Sequence, residues 1–145
     1  MLGETARPDY LVGMDKYRDI ELGPAAFLSL AEAAFAGIPQ SLRQYVGEVI
    51  FHIDDFAEPE ILADMEIDSP YDLLGLYQGL SLDQKSAGAA PADVDHIFLY
   101  RAPILDYCEA SGETLSDVVR HVLIHEIGHH FGFSDADMER IEATP

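Results

Sequence analysis

The chain has 145 residues, of which 48% are hydrophobic, and a formal net charge of −19 from 27 acidic and 8 basic residues. That length supports a single domain able to bury its own core, and the hydrophobic share is that of a globular protein. The acidity argues against nucleic acid or an anionic membrane surface as a partner, and the single cysteine, Cys108, excludes an intrachain disulfide framework.

Residues 1–20 form a polar lead-in, expected to be poorly ordered, ahead of one domain over residues 21–145. Pro8, Asp9 and Asp15 interrupt that lead-in, so it has neither the apolar run of a signal peptide nor that of a membrane span. The expectation is a cytoplasmic protein. Pro24 opens a helix over residues 24–38, with an apolar stripe of Phe27, Leu28, Leu30, Ala31, Ala34 and Phe35, and Gly37 and Pro39 mark its end. A short helical turn follows at residues 41–45. Val49, Ile50, Phe51 and Ile53 make residues 48–53 a strand.

Residues 54–70 are acidic and carry two prolines, which predicts a loop with one helical turn near residues 61–65. Residues 73–80 read as a strand or hairpin limb whose Gly75 and Gly79 mark close approach to other backbone. Residues 81–92 are small and polar, hence a surface loop. Residues 96–101 form the clearest second strand, ended by Pro103. A long helix starts near Ser111 to Thr114 and runs through Val118, Val119, Val122, Leu123, Ile124 and Ile127 to about Phe131. Gly132 suits the left-handed residue past its end, and Ser134 can cap a short helix over residues 135–141. Helix, strands and a long helix with a terminal one make the fold class α+β with a small sheet.

Within that long helix lies His125-Glu126-Ile127-Gly128-His129, an H-E-x-x-H pattern extended by Gly132 and Asp135 to H-E-x-x-H-x-x-G-x-x-D. Residues four apart share a helix face, so His125 and His129 can present two imidazoles to one cation. Glu126 sits about 100° further round, where it can hold a water and take its proton. Zinc in hydrolases usually takes three protein ligands and leaves one position for water. The turn at Gly132 swings Asp135 back toward the histidines as the third ligand, with Asp137, Glu139 and Glu142 as competitors.

The other histidines fit the metal less well. His130 points about 140° away from His125 and so contacts substrate or faces the protein. His121 lies one turn before His125 on the same face, but about 12 Å of helix separates it from His129. Three imidazoles in that row cannot converge on one ion, which leaves His121 a packed or supporting role. His52 and His96 fall in strands, where structural roles are expected. Cys108 is expected to pack as a small hydrophobe.

The chemistry expected of this set is hydrolysis by metal-activated water, with Glu126 as general base and then proton donor to the leaving amine. An oxyanion donor would be Tyr77, Tyr100 or a histidine. The chain resembles the minimal zincin-like metallopeptidase family of small bacterial proteins. Leu73-Leu74-Gly75-Leu76-Tyr77-Gln78-Gly79, residues 97–105 (Ile-Phe-Leu-Tyr-Arg-Ala-Pro-Ile-Leu) and His125 through Met138 carry the resemblance. It implies a minimal zincin-like fold with a small mixed sheet beside the H-E-x-x-H helix. It also implies one zinc ion on His125, His129 and Asp135, with Glu126 catalytic. Peptide substrates of zincins pair with an edge strand near that helix, and residues 96–101 are the candidate. The substrate expected is a peptide or protein, basic or unstructured; the alternative is a catalytically weak or inactive zincin-fold module that binds metal or a protein partner.

Overall fold

The computed structural model describes residues 23–79 and 94–144. The expected lead-in over residues 1–20 and the whole of the expected surface loop over residues 81–92 lie outside them. Helix α1 (Pro24–Ala36) starts on Pro24 and buries Phe27 and Ala31. Proline is well placed there, because the first helical N–H has no intrahelical acceptor anyway. A one-turn helix, α2 (Gln40–Arg43), buries Leu42 and leads into strand β1 (Val49–Asp54). Helix α3 (Pro59–Asp64) takes the place of the expected helical turn and again has proline in its first turn.

A 3-10 turn (Pro70–Asp72) leads to β2 (Gly75–Gln78), followed by β3 (Asp95–Tyr100). Helix α4 (Arg101–Ser111) follows β3 without a connecting residue and ends at Gly112, whose φ is +78°. This helix is absent from the sequence expectation, which took Pro103 only as the end of a strand. Pro103 is the third residue of α4, still within the first turn, where a missing N–H breaks no helical bond. Helix α5 (Leu115–His130) is capped by Thr114, whose side chain accepts from the Asp117 N–H at 3.1 Å. Helix α6 (Asp135–Glu142) closes the described chain.

The three strands form one mixed sheet in the order β1-β3-β2, with β1 parallel and β2 antiparallel to β3. This corrects one expectation. The strand over residues 96–101 is central, hydrogen-bonded on both sides, and no substrate can pair with it. Its alternation explains the placement: Ile97 and Leu99 are fully buried against the helices, so β3 sits where the core is thickest. Among the described residues the sheet edges are β1 and β2.

The inner face of the sheet packs on α5 and α1. Ile97, Leu99 and Tyr77 join Phe27, Ala31, Val118, Val119, Val122, Leu123 and Ile127 in one core cluster. Gly75 permits the close passage of β2 over α5: a Cβ there would lie 2.7 Å from Val122 Cγ1 and 3.0 Å from the Phe98 carbonyl oxygen. The opposite face is covered in part by a smaller cluster of Ala57, Leu73 and Tyr100 with Ile61, Leu62 and Phe98. The architecture is therefore α+β, a small mixed sheet laid against the H-E-x-x-H helix. Among the described residues no helix is long and apolar enough to cross a membrane.

Candidate metal centre

Helix α5 turns its valine and leucine stripe to the core and leaves His121, His125 and His129 in a row on its flank. Their side chains are 43%, 25% and 56% exposed. Ring centroids of His121 and His125 are 4.1 Å apart, and those of His125 and His129 are 5.7 Å apart. What meets this row is set by how α5 ends. Gly132, at φ +81°, takes the left-handed conformation, its N–H bonding the His129 carbonyl while the Phe133 N–H bonds the Gly128 carbonyl. That paired closure is a Schellman turn, and it reverses the chain.

Ser134 then starts α6 with a reciprocal capping box: its hydroxyl accepts from the Asp137 N–H, and the Asp137 carboxylate accepts from the Ser134 N–H. The Ser134 hydrogen bonds hold the Asp137 carboxyl below its ordinary value. Helix α6 lies back along α5. Met138 is fully buried over Gly128, a contact that leaves no room for a Cβ at position 128. At the far end, Arg120 of α5 donates to the Ile141, Glu142 and Thr144 carbonyls at 3.5, 3.0 and 2.8 Å. These carbonyls belong to the last turn of α6 and its exit, where helical acceptors are spare. Arg120 therefore pins the end of α6, a role that no sequence motif announced.

The antiparallel lie of α6 brings two carboxylates to the histidine row. Asp135 Oδ1 stands 3.8 Å from His129 Nε2. Two ligands about 2.0–2.1 Å from one tetrahedral zinc ion would be about 3.4 Å apart, so this pair is close to ligand spacing. Glu142 Oε1 lies 2.6 Å from His125 Nε2 and 2.9 Å from His121 Nδ1. Among the described residues, the trio whose ligand atoms all lie within 4.8 Å of one another is His121, His125 and Glu142. Thus Asp135 stands beside His129, whereas His125 is engaged by Glu142 together with His121. Two imidazoles and a carboxylate are a donor set that suits zinc.

Glu126 is largely buried, and burial raises its carboxyl to about 7. His130, next to the row, turns toward the sheet and packs on the Tyr77 ring at 4.3 Å between centroids. Tyr77 donates its hydroxyl to the buried Asp95 carboxylate, so it is already committed. Burial first, and then that carboxylate, raise its hydroxyl far above the ordinary value. Tyr100 differs: its hydroxyl is buried with no hydrogen-bond partner among the described residues. Burial, followed by the charges of Asp54, Glu126 and Glu58, pushes it up to about 12. His52 and His96 bond to each other at 2.9 Å across β1 and β3, with His52 stacked on Phe98, the structural role expected of them. Cys108 is half-buried, and burial pushes its thiol up to about 11, which makes it a poor nucleophile.

The sequence profile of the zincin-like metallopeptidase family matches residues 46–144, about two thirds of the chain and everything from β1 to the end of α6. The chain belongs to the zincin-like metallopeptidase family. Comparison with curated proteins returns no match. Membership implies a zinc ion, and the histidine and carboxylate donors between α5 and α6 are chemically suited to hold one. In the zincin-like fold described here, the match takes in the sheet, the H-E-x-x-H helix, its Schellman turn and both carboxylates of α6.

Proposed function

We propose that this protein is a zinc-dependent peptidase in which His125, His129 and Asp135 hold the ion and Glu126 is the general base. The observation that carries the reading is the joint placement of the H-E-x-x-H residues on one helix flank with Asp135 returned to His129 by the Gly132 turn. Zinc bound there would polarise the scissile carbonyl and acidify water. The chain's own part is proton handling and positioning. Glu126 accepts a proton from the attacking water and delivers it to the leaving amine as the C–N bond breaks. Its burial suits that task, since a carboxyl raised toward neutrality both takes and returns a proton readily.

The substrate is an extended peptide segment, paired with β2. That strand is a sheet edge among the described residues and passes directly over α5 at Gly75. A basic segment is favoured, because the net charge of −19 attracts cations over the whole surface. The test is digestion of a peptide library by zinc-loaded parent and Glu126→Gln. Cleavage by the parent alone, with sites enriched in nearby Lys or Arg, supports the proposal. Equal background cleavage by both, with zinc bound to both, would sink it and leave a metal-binding module.

A further inference from the structure

Three of the four histidines of α5 form two overlapping pairs, His121/His125 and His125/His129, each four residues apart and sharing the middle member. Opposite them, Asp135 and Glu142 are seven residues apart on α6, two helical turns, and so face the same way. Seven residues of α6 span about 10 Å, close to the roughly 12 Å between His121 and His129. Because α6 runs back along α5, each histidine pair receives a carboxylate of its own: Asp135 beside His129, and Glu142 between His121 and His125.

We propose that His121, His125 and Glu142 form a second seat for a zinc-like divalent cation, mutually exclusive with the His125–His129–Asp135 seat because both require His125. The inference deepens the proposed zinc site and rests on it only through that shared histidine. Glu142 Oε1 is already 2.6 Å from His125 Nε2 and 2.9 Å from His121 Nδ1. Widening these separations by about 0.8 and about 0.5 Å gives tetrahedral ligand spacing, a change on the scale of side-chain torsions. The three side chains offer two imidazole nitrogens and one carboxylate oxygen, a donor set that favours zinc over calcium or magnesium. Arg120 makes the seat a built one: its hydrogen bonds to the carbonyls of residues 141, 142 and 144 fix the turn of α6 that carries Glu142. His121 is 43% exposed and Glu142 28%, so an ion can reach them from solvent. An ion in this seat takes His125 away from the peptidase arrangement, which makes the seat a resting position that holds the metal without supporting cleavage.

Zinc binding, read by competition with a chromogenic chelator, tests this directly, with circular dichroism confirming that each variant folds. The variants are His125→Ala, the double change His129→Ala with Asp135→Asn, and the double change His121→Ala with Glu142→Gln. Expected are one zinc per chain in the parent and in both double variants, and loss of binding in His125→Ala. Should the His129/Asp135 variant bind zinc no better than His125→Ala while the His121/Glu142 variant matches the parent, the second seat is refuted and the peptidase ligand set stands. The converse pattern keeps the second seat and removes the peptidase ligand set. Loss of zinc in both double variants also overturns the inference, since neither trio would then hold an ion by itself.

Discussion

Gly128 is the position at which the closeness of the two site helices can be tested by a single added carbon. It lies inside α5 between Glu126 and His130, and a Cβ there would run into Met138, 2.8 Å from its Cγ and closer still to its sulfur. A methionine end is normally free to swing aside, but Met138 is fully buried, in an interior that is densely packed as a rule. Overpacking a filled core costs about 1–3 kcal/mol, while replacing glycine by alanine inside a helix returns about 1 kcal/mol. Gly128→Ala should therefore lose about 0–2 kcal/mol. Gly128→Val adds two methyl groups and a weaker helix former, so it should lose about 3 kcal/mol. In urea that shifts the unfolding midpoint of Val down by about 1–2 M at unchanged slope. The same displacement pushes Asp135 and Glu142 away from the histidines, so zinc affinity should fall in step with stability. A valine variant with the parent's midpoint and zinc affinity would show that α6 does not rest on Gly128, and the antiparallel site would go with it.

Two further outcomes follow from the same residues. Ser134→Ala removes the hydroxyl that accepts from the Asp137 N–H at the start of α6; about 1 kcal/mol of stability should go with it, read as a fall of several degrees in Tm, and an unchanged Tm would mean the cap contributes nothing. In the metal-free protein, Glu126 has its carboxyl raised by burial from 4.5 to about 7, so the folded state holds a proton that the unfolded chain has released. Stability from this residue then falls as pH rises between those values, is unaffected below 4.5, and is lowered by about 3 kcal/mol at most above 7. Glu126→Gln should be more stable than the parent at pH 8 and equal to it near pH 4.5 in urea unfolding; parallel stability profiles would refute a buried, raised carboxyl.

Local chemistry made most of the frame legible. Pro24, Thr114, Gly132 and Ser134 each fix an element boundary by a reason that needs no tertiary contact, and each boundary lies within a residue or two of the expected place. Helix α4 escaped because Pro103 has two opposite meanings. In a strand it stops the ladder; in the first turn of a helix it costs nothing. Only the abrupt passage from Tyr100 into Arg101 decides between them. Strand order escaped for a different reason. Alternation identifies a strand and its buried face, but it does not say how many neighbours that strand has, and β3 gained both.

The metal centre shows where helix geometry suffices and where it stops. A single helix fixes the spacing of His121, His125 and His129, and from that spacing alone a third imidazole on one ion is excluded. The carboxylate partners depend on α6, whose direction is set by one left-handed glycine and whose distance is set by another glycine lacking a side chain. Gly132 could be read from the motif. Gly128 could not, because within H-E-x-x-H it occupies a position that tolerates many residues, and its role appears only when Met138 is laid over it. Once both are placed, the separation of Asp135 and Glu142 matches the histidine row, and Glu142 becomes as well positioned as Asp135 to engage a cation. The competition for the ion is thus a consequence of the fold: in a row of three equally spaced histidines facing a helix with two carboxylates, the middle histidine has on either side a neighbour that meets a carboxylate.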